Sequence, residues 1–292
     1  MQRKKYIIFI LMFMALPVFS AGCNKEVQTR NIEVLRIGLI PDQSGDKTYE
    51  QYKAIFDSFS KRTDIPYEYV DVSSYGDVLE KFQNQEIDFG YFGAVTYLKA
   101  RENAGAVPLV MRDVDMEFTS HFLVPASSNA KTVKDLKGKR LAFGSKLSTS
   151  GHFMPRHFMQ QDGIKPEEFF GKVIFSGAHD KTAFLVRDGK ADLGVLNSQV
   201  AKKLFKTGKI KEEQVRVLKI SPPYPDYVWA VQPYMKEDLR LVLQQTFTEL
   251  LPHAEKDKKI LNKTGAGFFL PASPGDFQQL EIIIKSVEES GS

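Results

Sequence analysis

Residues 147–153 read Leu-Ser-Thr-Ser-Gly-His-Phe, three adjacent hydroxyls closed by a glycine, with Pro155 just beyond. Two kinds of chemistry use such a run. A nucleophilic serine needs a base oriented by a third group, and His152, His157 and His179 lie nearest in sequence, but no Gly-x-Ser-x-Gly elbow surrounds any of these serines. An anion cradle needs only donors. A strand ending at Gly144 and a helix starting near Gly151 place Ser148, Thr149 and Ser150 at a helix N-terminus, where unpaired N–H groups and the positive dipole end face outward. Gly151 permits close approach of an oxyanion, and Pro155 falls in the first turn, where its missing N–H costs little. The Gly-Lys-[Ser/Thr] ending of a nucleotide phosphate loop is absent. Ser and Thr are also the preferred helix caps, so this stretch alone leaves cradle and plain cap open.

Other candidates are weaker one by one. His179 follows Ser-Gly-Ala and opens the next helical segment, a position where a histidine commonly caps or packs. Asp226, in Pro-Tyr-Pro-Asp-Tyr, reads as a turn aspartate, and Tyr75 as a helix-start aromatic resting on the core. Metal binding finds no support: five histidines lack paired spacing and cysteine occurs once. The run Lys256-Asp257-Lys258-Lys259 is a solvated helix face.

The elements that position these residues alternate strand and helix. Strands are expected at 34–40, 67–72 and 87–92 with helices at 48–62, 75–83 and 94–102, an α/β lobe with a largely parallel sheet. A strand at 118–124 begins a second such series, with strands at 138–143, 173–175 and 191–196, helices to about 161 and from 180 to 187, and a strand at 215–220. The proline-rich stretch from Ser221 to Val231 reads as a return to the first lobe, followed by helices near 236–253, 256–262 and 274–288. No internal repeat stands out. The expected division is a first lobe of 33–118 plus 222–292 and a second of 119–221, joined by two crossings, with a ligand cleft between them.

Length supports two compact lobes: 292 residues exceed what one core usually serves. The start, Met-Gln-Arg-Lys-Lys followed by an apolar run from Tyr6 to Phe19, has the order of a secretory signal over residues 1–22 and is short for a membrane span. Ser20-Ala21-Gly22-Cys23 resembles a bacterial lipobox, with Ser20 where an aliphatic residue is usual, so Cys23 is expected to carry lipid and residues 23–32 to form a tether. Without Arg3, Lys4 and Lys5 the 40 basic residues become 37, against 36 acidic ones. A chain so nearly balanced is not a phosphate-neutralising nucleic-acid binder.

Taken in order, Ile37-Gly-Leu-Ile-Pro41, Asn84 to Ala100 (NQEIDFGYFGAVTYLKA), Leu136 to Pro155, Phe175 to Asn197 and Ser221 to Trp229 resemble the phosphonate/phosphite family of ABC-transporter substrate-binding proteins, which have the two-lobed type-2 periplasmic binding fold with two hinge crossings and a central cleft. The resemblance implies that Ser148, Thr149 and Ser150 hold phosphonate oxygens, that His179 and Tyr75 contact the same group, and that Asp226 accepts from a protonated oxygen or an amine. It implies no cofactor and no bond chemistry. Members that bind aminoalkylphosphonates carry a glutamate where this chain has Gln199 and a hinge tyrosine where it has Phe118. Since a buried ammonium needs a paired charge, the neutral Gln199 favours phosphite, methylphosphonate or phosphate. The implied protein is a monomeric lipoprotein at the periplasmic or cell-surface side of the membrane, serving an ABC permease. The alternative is an oxyanion sensor partnering a histidine kinase, and a Ser/His hydrolase comes third.

Overall fold

The structure, a computed structural model, describes residues 28–44 and 48–290; the expected signal segment and the first half of the tether, Cys23 included, lie outside them. Apolar runs form strands buried on both faces, and amphipathic runs form the helices that cover them. In the first sheet β1 (Leu35–Leu39) pairs in parallel with β2 (Tyr67–Tyr69) and β3 (Phe89–Phe92). Beyond β3 the sheet turns antiparallel, through β10 (Val228–Val231), β4 (Val107–Arg112) and β11 (Phe269–Pro271). The second sheet has the order β7 (Lys172–Phe175), β6 (Arg140–Phe143), β8 (Leu193–Asn197), β5 (Ser120–Pro125), β9 (Val215–Ile220). Here β6 is parallel to both neighbours and β5 antiparallel to both of its own.

Both sheets are thus mixed, where a largely parallel first sheet was expected. The strand that enters each sheet from a crossing, β10 or β5, runs against the β-α-β series it joins. Pro108 lies within β4, a residue usually confined to sheet edges, yet β4 sits between β10 and β11.

Helix α1 (Thr48–Thr63) buries Tyr52, Ile55, Phe56 and Phe59, one face at helical spacing. That face meets the first sheet in an aromatic cluster centred on Trp229, whose ring lies 4.7 Å from Phe89, 4.9 Å from Tyr52 and 5.6 Å from Phe56. Next come α2 (Tyr75–Gln83), α3 (Ala94–Ala104) and the short α4 (Asp113–Met116). The second sheet is flanked by α5 (Met154–Gln161), α6 (Pro166–Phe169), α7 (His179–Arg187) and α8 (Ser198–Lys206), and the chain ends in α9 (Glu237–Thr248), α10 (Glu255–Thr264) and α11 (Gln278–Glu289).

The chain passes between the sheets after β4 and after β9. The two passages pair with each other: Phe118 N–H donates to Tyr224 O at 2.8 Å and Tyr224 N–H to Phe118 O at 3.0 Å. Close by, Phe153, Met154 and Phe158 at and within α5 are buried in the apolar cluster of the first sheet, with Phe158 and Tyr224 rings 6.2 Å apart.

An internal repeat, which the sequence hides, appears in three dimensions. The N–H and Nε of Arg36 donate to Asp88 Oδ2 at 3.0 and 2.8 Å, and its terminal nitrogen to Oδ1 at 2.8 Å. In the second sheet Arg140 makes the same three bonds to Asp192 at 2.9 Å each. Each clamp ties the first strand of a β-α-β-α-β series to the Asp-x-Gly that opens its third. The two differ in burial, the side chain of Asp88 being 1 % exposed and that of Asp192 27 %. Asp88→Ala should therefore cost about 3 kcal/mol, because a guanidinium and a backbone N–H lose a buried acceptor. Asp192→Ala should cost about 1 kcal/mol, the scale of half-exposed pairs. Urea unfolding checks both values, and equal losses would contradict the role of burial.

Candidate functional site

The helix expected to start near Gly151 starts earlier. Thr149–Phe153 form one π-helical turn that leads directly into α5, and Ser148 is its cap, Oγ accepting from Gly151 N–H at 3.0 Å. Phe153 N–H reaches Ser148 O at 3.1 Å. Ser148, Thr149 and Ser150 are all buried. Their hydroxyls do three different things. The Ser148 hydroxyl caps the turn. Thr149 Oγ1 accepts from Val95 N–H at 3.1 Å, joining the turn to the N-terminus of α3 on the first lobe. Ser150 Oγ is buried with no hydrogen-bond partner among the described residues, while the Ser150 carbonyl is held by Ser120 Oγ at 2.7 Å.

Asp226 comes from the second crossing to the same place. Its Oδ1 accepts from Ala94 N–H at 3.1 Å, and its Oδ2 is buried without a partner. The two lobes therefore bring two helix N-termini together, with one unsatisfied oxygen from Ser150 and one from Asp226. Glycines make the approach possible. A Cβ on Gly93, the cap of α3, would lie 3.3 Å from both Asp226 Oδ1 and Thr149 Oγ1; one on Gly151 would lie 2.9 Å from His179 Cε1 and 3.0 Å from Ser148 Oγ.

His179 and Tyr75 meet across the cleft. These residues open α7 and α2, equivalent helices of the two lobes, and His179 Nε2 stands 3.3 Å from Tyr75 Oη. His179 Nδ1 accepts from Asn197 N–H at 3.2 Å, which assigns the ring proton to Nε2. Tyr75 Oη in turn donates to Asp42 Oδ1 at 2.6 Å. Of the seven residues expected at the site, Ser148, Thr149, Ser150, His179, Tyr75 and Asp226 converge. Gln199 does not. It is exposed on α8, donating its N–H to Asn197 Oδ1 at 2.8 Å, and lines an outer cleft of about 240 Å³ with Asp42, Arg112, Asn197, Lys203 and Thr264.

Three side chains of this region were not foreseen: Asp42, Asn197 and Tyr227. Asp42 follows the C-terminal end of β1, the edge where α/β sheets present ligands, and Asn197 precedes α8 as an asparagine cap. Both signals are readable in sequence. Nothing marks Tyr227 except its neighbour Asp226.

Burial raises the pKa of Asp226 to about 7; Ala94 N–H and the nearby Thr149 and Ser150 hydroxyls pull it down, and Asp115 pushes it up. Burial also lowers His179 to about 3, so its ring is neutral near pH 7. The polar groups offered to a ligand are thus neutral donors and one carboxyl poised to gain or lose a proton. Two of the three histidines nearest the hydroxyl run are engaged elsewhere. His152 Nδ1 bonds Lys146 O at 2.8 Å and its Nε2 accepts from Arg156, while the His179 ring is bonded to Asn197 and Tyr75, so neither ring is bonded to a serine hydroxyl.

Residues 37–277 match the protein family described as ABC transporter, phosphonate, periplasmic substrate-binding protein. The chain belongs to this family. It is 32% identical over 279 residues, 91% of each chain, to the probable ABC transporter phosphite binding protein PhnD1 of Prochlorococcus marinus. It is 26% identical over 199 residues, 64% of this chain and 62% of the other, to the phosphate-import protein PhnD of Mycolicibacterium smegmatis. The solved structure of PhnD1 from Prochlorococcus marinus in complex with methylphosphonate superposes with a TM-score of 0.81 at 31% identity, covering 89% of this chain and all of that one. The two mixed sheets are those of the periplasmic binding fold. Membership places the protein outside the cytoplasm, among binding proteins of transport systems rather than enzymes.

The two shifted groups act on stability in opposite directions. Asp226, raised in the fold, contributes stability that is full below about pH 4 and lost as pH rises through about 7. His179, lowered in the fold, contributes stability that is full above about pH 6.5 and lost as pH falls through about 3. In the ligand-free protein Asp226→Asn should therefore gain on the unmodified protein between pH 4 and 7, by on the order of 3 kcal/mol. His179→Asn should gain as pH falls over the acid side. Unfolding midpoints across pH check both slopes, and an Asp226→Asn difference that does not change with pH contradicts the assignment.

Proposed function

We propose that the protein captures a small phosphorus oxyanion, a phosphonate, phosphite or phosphate, between its lobes and delivers it to an ABC permease. The observation that carries this reading is the pair of buried, unpartnered oxygens, Ser150 Oγ and Asp226 Oδ2, set between two helix N-termini from opposite lobes. A tetrahedral oxyanion supplies the missing partners. Ser150 donates its hydroxyl proton and the first amides of the Thr149–Phe153 turn donate theirs. His179 Nε2–H turns from Tyr75 to the ligand, and Asp226 accepts from a P–OH or donates its own proton. A hydrogen bond to a charged acceptor contributes about 1.5–3 kcal/mol, so a few of them give useful affinity without a cationic side chain.

Closure follows from the same geometry, because a ligand that touches both lobes has its higher affinity for the closed form. The one relative named above for phosphite and solved with methylphosphonate supports a ligand with a small apolar fourth substituent. Gln199 carries no charge to pair with an alkylammonium, which supports the same choice over an aminoalkyl chain. Cys23, in its lipobox-like setting, is the attachment point of a lipid anchor on the outer side of the membrane, and the protein acts there as a monomer.

Thermal unfolding of the mature protein with phosphite, phosphate, methylphosphonate, aminoethylphosphonate and sulfate tests the proposal. At ligand concentrations about 100 times Kd, mass action adds about 2.7 kcal/mol of stability, so phosphite or methylphosphonate should raise the midpoint by several degrees. No shift with any phosphorus compound overturns the reading. Ser150→Ala sharpens the test: it should leave the ligand-free midpoint unchanged or slightly higher, since it removes an unsatisfied buried hydroxyl, while affinity falls about tenfold or more.

A further inference from the structure

Five residues around the cradle form a closed ring in which the direction of every proton is fixed. Asn197 Oδ1 accepts from the N–H groups of Gln199 and Val200 at 2.8 and 3.0 Å, so its Nδ2 faces the other way and donates to Tyr227 Oη at 2.8 Å. Tyr227 Oη donates to Asp42 Oδ1 at 2.9 Å. On the other arm Asn197 N–H donates to His179 Nδ1, His179 Nε2–H points at Tyr75 Oη, and Tyr75 donates to the same Asp42 oxygen at 2.6 Å. Asp42 O also accepts from His179 N–H at 3.0 Å, which holds the loop after β1 against α7. Both arms begin at Asn197 and both end on the Asp42 carboxylate.

We infer that Asp42 is a specificity-determining residue that makes the site prefer a singly charged oxyanion to a doubly charged one. The inference rests on the anion-capture reading above. With their protons committed to Asp42, Tyr75 and Tyr227 present lone pairs rather than hydrogens to anything in the cleft. A ligand face that meets them is best served by P–OH, P–H or P–CH3 and poorly by a bare oxygen.

The surrounding charges act in the same sense. From the first lobe Asp42 and Tyr91 on β3 line the cleft, and the buried Asp226 acts electrostatically on the same two tyrosines as Asp42. Arg112 is already committed to Asp115, at 2.7 and 2.6 Å, and to Thr264 O. Lys203 of α8 and Lys263 of α10 stand exposed at the rim, where water screens them. The carboxylate of Asp42 is only 16 % exposed and 3.8 Å from His179 Nε2, so a second negative charge brought to that histidine is repelled at short range.

The experiment compares methylphosphonate, which carries one proton in mildly acidic buffer, with sulfate, which carries none, by calorimetric titration of the unmodified protein and of Asp42→Asn. Asparagine keeps the size and a carbonyl acceptor for the tyrosines while removing the charge. The unmodified protein should prefer methylphosphonate, and in Asp42→Asn that preference should shrink by at least about tenfold. If both affinities fall by the same factor, or the preference is unchanged, Asp42 is structural and the inference is overturned. Should Asp42→Asn fail to unfold cooperatively, Asp42→Ser is a second neutral variant subject to the same criterion. Binding of neither ligand by the unmodified protein overturns this inference, and the capture reading falls with it only if phosphite and phosphate also fail to bind.

Discussion

An anion taken out of water must be met by donors, and a site that uses no cation must find all of them in dipoles and hydroxyls. That requirement governs this structure. Helix N-termini are a dense source of N–H groups, and each lobe places one at the same point, α3 from the first, whose leading amides hold Asp226 and Thr149, and the Thr149–Phe153 turn from the second. For the two to meet, β6 must stop at Phe143 and the chain must return so that Gly144 N–H bonds Gly151 O at 2.9 Å. Gly93 and Gly151 must lack side chains. Among the side-chain oxygens there, Ser150 Oγ and Asp226 Oδ2 are left buried without a partner among the described residues.

The two-lobed architecture supplies the rest. The repeated Arg-Asp clamps brace each sheet separately, and the chain passes between the sheets at the paired segments around Phe118 and Tyr224. Near these passages the apolar face of α5 is sunk in the first lobe's core. The cradle therefore rides on an element that both lobes contact. Hydrogen bonds from Val95 to Thr149 and from His179 to Tyr75 and Asp42 cross the cleft.

Much of this was legible in the sequence. The hydroxyl run with its glycine and proline announces a helix start, which Ser148 caps while Ser150 Oγ is left over. The strand-helix alternation gave most element positions, and α2 spans the expected 75–83. What stayed hidden depends on pairing at a distance. The antiparallel course of β5 and β10 is set by the crossings, which local patterns do not encode. The internal repeat rests on two Arg-Asp pairs about fifty residues apart with little similarity around them. Gln199 follows a strand that ends at the cleft, but the helical turn after Asn197 carries its side chain to the rim.

A crystal structure of the protein with methylphosphonate bears most directly on the central claim, that neutral donors from both lobes hold the anion. The expected result is a phosphonate oxygen within hydrogen-bonding distance of Ser150 Oγ and another near Asp226 Oδ2, with no lysine or arginine side chain in contact. A ligand bound instead in the outer cleft beside Arg112 and Lys203, with those two oxygens still unpartnered, would contradict it.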